Sequence, residues 1–347
     1  MQQRVTISTE SATCVELPGG LVYVSDAVPG IRRIRSGKGF RYAAPSGHTL
    51  AAEDRERIKK LGIPPAYERV WICVDAKGHL QATGYDVRGR KQYRYHPLWG
   101  SARSETKFQH LVAFGLALPA IRARVRRDLR RTPGDRAFTV AALVLLLDRT
   151  LMRVGNTEYA ASNRSFGATT LLSRHLRVKD GAVRLSFRAK GGKRVQRTLR
   201  DKRLNRILQD IGDLPGRNLF TYIDDDGQVR TLASQHINTW LCDIAGPGMT
   251  AKTFRTWGGT LAAFDVARNT GADERLTISM MAQAAAGQLD NTPTISRKSY
   301  IHPAVLNLAQ LKGPERYALL QGLTLPVVAD LREAERHLLA FLQSDLG

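Results

Sequence analysis

Cysteine is scarce in this 347-residue chain, with Cys14, Cys73 and Cys242 far apart, no CxxC and no His pair at metal-ligand spacing. That argues against a disulfide framework or a structural zinc site and leaves three separate thiols. Long apolar runs are missing too: the longest, Val140 to Leu147, is too short to span a bilayer. The amino-terminal residues Met1-Gln2-Gln3-Arg4-Val5 carry no apolar signal core, so a cytoplasmic location and no membrane partner are expected. Acid is in short supply: 31 Asp+Glu stand against 53 Lys+Arg, a net charge of +22. A polyanion is therefore the expected partner, nucleic acid ahead of an anionic membrane surface.

The rest of the composition is that of a folded protein. With 43% hydrophobic and 24% charged residues, the length suits two domains with their own cores. After a short strand-like run, Gly20-Leu21-Val22-Tyr23-Val24, turn residues recur closely from Gly30 to Tyr95. Strands are expected at Phe40–Tyr42, Val70–Val74, Leu80–Tyr85 and Gln92–Tyr95, with a helix over Ala51–Leu61. From Lys107 the apolar spacing turns helical through Phe108, Leu111, Val112, Gly115 and Leu118, which places a domain boundary near residue 105. The expected class is α+β: a small β-rich domain over residues 1–105 and a larger, mainly helical domain over 106–347. Both are basic, with 17 Lys+Arg against 10 Asp+Glu in the first and 36 against 21 in the second.

Several segments concentrate charge, and each has two readings. Arg122 to Arg131 holds six arginines, either a solvated helix face or a phosphate-facing surface. Arg88-Gly89-Arg90-Lys91-Gln92-Tyr93-Arg94-Tyr95 sets cations around a Gly turn before alternating aromatics. It is either a DNA contact or a solvated hairpin whose tyrosines pack inward. Val183–Arg188 and Arg194–Leu199 read as strands joined through Gly191-Gly192, a hairpin-turn pair with Lys190 at its shoulder. From Arg184 to Arg206, ten Lys/Arg face one acid, Asp201. Arg153 closes a strongly apolar helix that starts near Thr139, where an arginine is commonly a helix-dipole partner. Lys252 and Arg255 share a helical face by their spacing, a pair of cations that favours an anion between them. Tyr300 follows Arg297-Lys298-Ser299, with Asn291 nine residues upstream; alone, it is an ordinary packing phenol.

Together these motifs resemble the type IB DNA topoisomerases in their compact, poxvirus-like bacterial form. The resemblance rests on Arg153-Val154-Gly155 with Tyr159, Phe187-Arg188-Ala189-Lys190-Gly191, Ala251-Lys252-Thr253-Phe254-Arg255-Thr256-Trp257, and Asn291 through Tyr300. It extends into the first domain through Pro64-Pro65-Ala66-Tyr67, Gln81-Ala82-Thr83-Gly84 and Gly89-Arg90-Lys91-Gln92-Tyr93. It implies the catalytic fold shared with tyrosine recombinases and a C-shaped clamp on duplex DNA. It also implies a reaction with no metal, nucleotide or other cofactor, for which a monomer would suffice.

In that reaction the resemblance makes Tyr300 the nucleophile, which forms a 3′-phosphotyrosyl link and releases a 5′-hydroxyl strand. Arg153 and Arg255 stabilise the phosphorane and Lys190 protonates the leaving oxygen. Lys252 and Tyr159 support the clamp and touch DNA, as Arg90, Lys91, Tyr93 and Lys193 are expected to do. One position departs from the pattern: the family often has His where this chain has Asn291, which can donate a hydrogen bond but brings no charge. A tyrosine recombinase or integrase shares the order Arg, Lys, Arg, Tyr, but typically carries His where Lys252 stands and has a helical rather than β-rich first domain. A non-enzymatic DNA-binding protein accounts for the charge and gives no reason for the separated matches.

Overall fold

The computed structural model describes residues 20–179 and 182–346, and the chain divides into two compact units, Met1–Lys107 and Phe108–Gly347. Cys14 lies outside the described residues.

The first unit is built on a five-stranded antiparallel sheet of β1 (Ile31–Ser36), β2 (Gly39–Ala43), β3 (Glu68–Ile72), β4 (Leu80–Tyr85) and β5 (Lys91–Tyr95). The spatial order is β2-β1-β3-β4-β5. Helix α1 (Ala52–Lys60) brings Ile58 onto the sheet, where it meets Ile31, Val70, Ile72 and Ala82 in a small core. The expected strands and helix form, with two differences. β1, in Ile31-Arg32-Arg33-Ile34-Arg35-Ser36, is too charged to show alternation; its pairing with β2 and β3 makes it a strand. Arg33 is accommodated by donating to the carbonyls of Ile63, Pro64 and Tyr67. Gly20–Val24, by contrast, makes only a bridge from Val22 to Gly78, because its bonds go to the loop before β4.

Helix α2 (Pro97–Asp128) leads into the second unit. It begins ten residues earlier than the apolar spacing indicates, with Pro97 at a first-turn position where a missing N–H costs nothing. α3 (Arg136–Thr150) follows, capped by the Asp135 carboxylate on the N–H groups of Ala137 and Phe138. Its buried residues Val140, Leu143, Val144, Leu146 and Leu147 centre a core shared with Leu111, Phe114 and Leu118 of α2. After α4 (Thr157–Asn163) comes a three-stranded antiparallel sheet of β6 (Leu176–Lys179), β7 (Ala182–Arg188) and β8 (Arg194–Leu199). β7 and β8 pair Arg188 with Arg194 and Val183 with Leu199. β6 is an addition to the sequence reading; at four residues it is too short to show a period.

α5 (Lys202–Gly212), the short pair β9 (Thr221–Ile223) and β10 (Val229–Thr231), and α6 (Ser234–Ala245) then lead to α7 (Ala251–Asn269), which runs through the core. α8 (Ile278–Leu289) and α9 (Pro293–Tyr300) pack on α7, followed by α10 (Pro303–Asn307), α11 (Gly313–Gln321) and α12 (Glu333–Leu346). Among the described residues no helix is long and apolar enough to cross a membrane, and no cluster of three or more His, Cys, Asp or Glu could hold a metal.

The fold sorts the cations into two populations. Of the six arginines between Arg122 and Arg131, five pair with carboxylates: Arg122 with Asp148 and Glu335, Arg124 and Arg127 with Asp128, Arg126 with Asp330, and Arg131 with Asp135. Of the ten Lys/Arg from Arg184 to Arg206, Arg197 alone has a carboxylate partner among the described residues. The local density of charge is similar, but only the second group keeps its field for an outside anion.

Candidate active site

Tyr300 is the last residue of α9, and its main chain is gripped by α7. The Thr260 hydroxyl donates to the Tyr300 carbonyl at 3.1 Å and accepts the His302 N–H at 3.1 Å. Beside it, Gly259 permits a close approach: a Cβ there would meet the Tyr300 carbonyl oxygen at 2.8 Å and the Tyr300 Cβ at 3.1 Å. Gly258, next along, similarly makes room for the Leu151 side chain. In sequence this Gly-Gly-Thr reads as a weak spot in a helix. In the fold it is a seat for two segments.

One helical turn before that seat, Arg255 projects from α7 and is 3% exposed. It donates to the Leu151 carbonyl and, at 2.9 Å, to the Leu289 carbonyl at the end of α8. Its Cζ lies 5.1 Å from the centroid of the Tyr300 ring. Its Nε is buried with no partner among the described residues. Phe254 and Trp257 on either side are buried in the core against Phe114, which fixes the turn of helix that aims the guanidinium.

Arg153 is not a helix-end residue. α3 stops at Thr150, Leu151 takes a left-handed conformation with φ 53°, and Arg153 sits in the arm beyond. That arm is clamped by the turn that follows α4: Ala168 N–H donates to the Arg153 carbonyl at 2.8 Å, and Thr169 N–H to Val154 at 2.7 Å. Gly155 (φ 99°) and Gly167 meet back to back, since a Cβ on Gly167 would lie 2.6 Å from the Gly155 main chain and from the Arg153 carbonyl. So held, Arg153 donates through Nη2 to the Asn291 Oδ1 at 3.0 Å. A guanidinium can only donate, so the orientation of the Asn291 amide follows. Its Nδ2 is left buried and without a partner among the described residues.

The charges bear on the phenol. Burial pushes the Tyr300 hydroxyl up, but Arg255, then Lys252 and Arg153, outweigh it and bring the phenol below its usual value near 10. Burial likewise pulls the Arg255 guanidinium down from its usual range, as expected of a cation held in the interior. An anion bound between Arg153 and Arg255 would relieve both.

The structure thus brings Arg153, Arg255, Asn291 and Tyr300 together, with Lys252 exposed nearby in the first turn of α7. Lys190 is exposed at the tip between β7 and β8, where Gly191 and Gly192 have φ 78° and 79°. Among the described residues it makes no hydrogen bond or ion pair with the cluster. Lys193, also exposed, follows it. Tyr159 lies in α4, but its side chain is outside the described residues. In the first unit, Arg90 is bound to Asp86, whose carboxyl it helps hold at about 2, and Lys91 is bound to Asp26. Tyr93 and Tyr95 do not pack inward: both are exposed on one face of β5 with rings stacked 6.1 Å apart.

Residues 96–312 match the family model of the catalytic core of eukaryotic DNA topoisomerase I, and residues 39–86 that of the N-terminal domain of bacterial DNA topoisomerase IB. The first match takes in all of the cluster. The chain belongs to the type IB DNA topoisomerases. DNA topoisomerase 1B of Acanthamoeba polyphaga mimivirus is 33% identical over 300 residues, covering 82% of this chain and 89% of its own. DNA topoisomerase 1B of vaccinia virus (strain Copenhagen) and DNA topoisomerase I of monkeypox virus are each 21% identical over 255 residues, covering 71% of this chain and 77% of theirs. Membership in the type IB family decides between the two readings that share the order Arg, Lys, Arg, Tyr. Missed at the sequence level were Gly259, Thr260 and the carbonyls of Leu151 and Leu289, the parts of this cluster that hold the others in place. The Gly-Gly-Thr step on α7 was the one local signal for them.

Proposed function

We propose that this protein relaxes supercoiled duplex DNA by transient cleavage of one strand through a 3′-phosphotyrosyl intermediate. The observation that carries the reading is two buried donors without partners among the described residues, Arg255 Nε and Asn291 Nδ2, in the same cluster as a phenol biased toward phenolate. Unpaired buried donors are costly, and an anion between them supplies what the protein does not.

In the forward step Tyr300 Oη forms a bond to phosphorus and its proton passes to solvent. The P–O5′ bond breaks, its electron pair leaves with O5′, and the Lys190 ammonium gives O5′ a proton. Arg153 and Arg255 face the charge that builds on the non-bridging oxygens, with Asn291 Nδ2 as a further donor. Lys252 supports the phenolate. The free 5′-hydroxyl strand swivels and its oxygen then attacks phosphorus while the Lys190 amine takes back the hydroxyl proton; the bond from phosphorus to Tyr300 Oη breaks, returning the phenolate and sealing the strand, and because the ester stores the bond energy no nucleotide is spent. DNA is held through the uncompensated cations around Lys190 and Lys193, with Tyr159 and the face of β5 bearing Tyr93 as further contacts, and one copy of the chain suffices. Arg90 and Lys91 serve DNA only by leaving their carboxylate partners.

Relaxation of a negatively supercoiled plasmid in EDTA, run beside Tyr300→Phe, tests this. Wild type is expected to relax the plasmid and to leave a covalent DNA adduct on denaturation, and Tyr300→Phe to do neither. Relaxation by Tyr300→Phe at the wild-type rate overturns it.

A further inference from the structure

Arg197 breaks the pattern of its strand. β8 alternates, with Val195 and Leu199 facing the same side as Val183, Leu185 and Phe187 of β7, and Arg197 stands on that inward side opposite Leu185. An arginine at a core-facing position needs partners. It finds them 93 and 91 residues away: Nη2 donates to Asp290 Oδ2 at 2.7 Å and to the Gln288 carbonyl at 2.9 Å. Asp290 is the left-handed cap of α8 (φ 49°), and the next residue is Asn291.

The end of α8 therefore collects three arginines from three elements. Arg197 of β8 takes Gln288 and Asp290, Arg255 of α7 takes Leu289, and Arg153 takes Asn291. Two of these belong to the phosphate clamp. The third comes from the strand pair that carries Lys190 at its tip. On its other side that pair is held beside its tip, by Phe166 N–H on the Arg188 carbonyl at 2.8 Å and the Ser165 hydroxyl on the Ala189 carbonyl at 3.4 Å, and further down by the pairing of β6 with β7. The outer face adds no cohesion, since Arg188 lies opposite Arg194 and Arg184 opposite Arg177.

We propose that Arg197 is a positioning residue: by tying β8 to Asp290 and Gln288 it registers the strand pair, and with it Lys190, against the clamp formed by Arg153, Arg255 and Asn291. This rests on the reading of Lys190 as the proton donor. The ion pair itself is partly open, with side chains 24% and 27% exposed, so its direct worth to stability is small and its effect falls on the chemistry.

The test is single-turnover cleavage of a duplex oligonucleotide with the ordinary 5′ oxygen at the scissile phosphate, beside the same duplex with sulfur in that bridging position. An alkoxide leaving group needs a proton, whereas a thiolate, with a thiol pKa of about 8.5, does not. Arg197→Gln is expected to slow cleavage of the oxygen substrate about 10- to 100-fold, a part of the roughly 10²- to 10⁴-fold that a well-placed general acid contributes. On the sulfur substrate it is expected to lie within about threefold of wild type, a residual small beside that acid effect. Arg197→Lys, whose ammonium can serve both acceptors, should recover most of the rate. Asp290→Asn should repeat the Arg197→Gln pattern, and the double variant should be no slower than the worse single, as for two members of one tie. If Arg197→Gln is unstable, Asp290→Asn carries the test. Wild-type rates on the oxygen substrate, or equal losses on both substrates, overturn the proposal. Lys190→Ala separates the two readings: if sulfur does not rescue that variant, Lys190 is not the proton donor, whatever Arg197 does.

Discussion

Arg153 donates to the side-chain Oδ1 of Asn291 at 3.0 Å and so fixes the direction of the Asn291 amide Nδ2, which is buried with no partner among the described residues. At this position the chain uses an oriented neutral donor, which brings no charge. Asn291→Ala is therefore expected to slow single-turnover cleavage about 10²-fold, the size of one lost oxyanion donor. Asn291→His should keep most of the rate. Asn291→Asp is the sharper variant: it preserves the acceptor for Arg153 but presents a carboxylate to the phosphate, and should be slower than Ala. Cleavage by Asn291→Asp at or above the Ala rate would remove this orientation from the account.

Lys252 is exposed, yet its charge adds to those of Arg255 and Arg153 in holding the Tyr300 phenol below its usual value. A phenol with a depressed pKa becomes phenolate as pH rises through that lowered value. The cleavage rate should accordingly climb at a lower pH than an ordinary phenol near 10 dictates. Lys252→Gln removes one of the favourable charges and should move the rising limb of the pH–rate profile to higher pH, while activity at high pH recovers toward wild type. A profile of reduced height and unchanged position would mean that Lys252 acts by binding DNA alone.

What could be read from the chain, and what could not, divides by sequence distance. Tyr300 and Arg255, which the fold brings together, and Lys190 at its turn could be singled out because each sits in a local motif, and the strands flanking Gly191-Gly192 were legible because alternation and a turn pair are short-range signals. Arg153 was found, but its setting was misread: the left-handed Leu151 ends α3 early, and the arm beyond is fixed by Gly155 against Gly167. Arg197 was counted among the basic residues and no more, because its meaning lies in Asp290, 93 positions on. Nor could charge density tell Arg122–Arg131 from Arg184–Arg206, since carboxylates from Asp148, Asp330 and Glu335 reach only the first.

That division of the cations can be measured. Lys193 is exposed beside the Lys190 tip, whereas Arg126 is paired with Asp330 at 2.6 Å. Each phosphate contact contributes about one counterion to the dependence of binding on salt. In equilibrium DNA binding across a salt series, Lys193→Ala should weaken affinity for every sequence and lower the slope of log K against log salt by about 1, whereas Arg126→Ala should leave the slope unchanged. Equal slope changes in the two variants would show that pairing in the free protein does not predict which cations meet DNA.

The same pairing makes a prediction for stability. Glu335 is 1% exposed and takes a two-pronged contact from Arg122, with both N···O distances at 2.8 Å, and it also accepts the Arg332 N–H at 2.9 Å. Burial pushes this carboxyl up, but the hydrogen bonds and charge of Arg122 outweigh burial and leave it below the ordinary range. A carboxyl depressed in the fold contributes stability that is present above its unfolded value of about 4.3 and is lost as pH falls through the folded one. Glu335→Gln keeps the shape and removes the charge, leaving Arg122 with Asp148. The variant should lose about 3 kcal/mol in urea unfolding at pH 7, at the lower end for one partner of a buried pair. Its stability should also fall less steeply than wild type between about pH 5 and pH 3, because the group that titrates there is gone. Parallel curves over that interval would assign the acid sensitivity to other carboxylates.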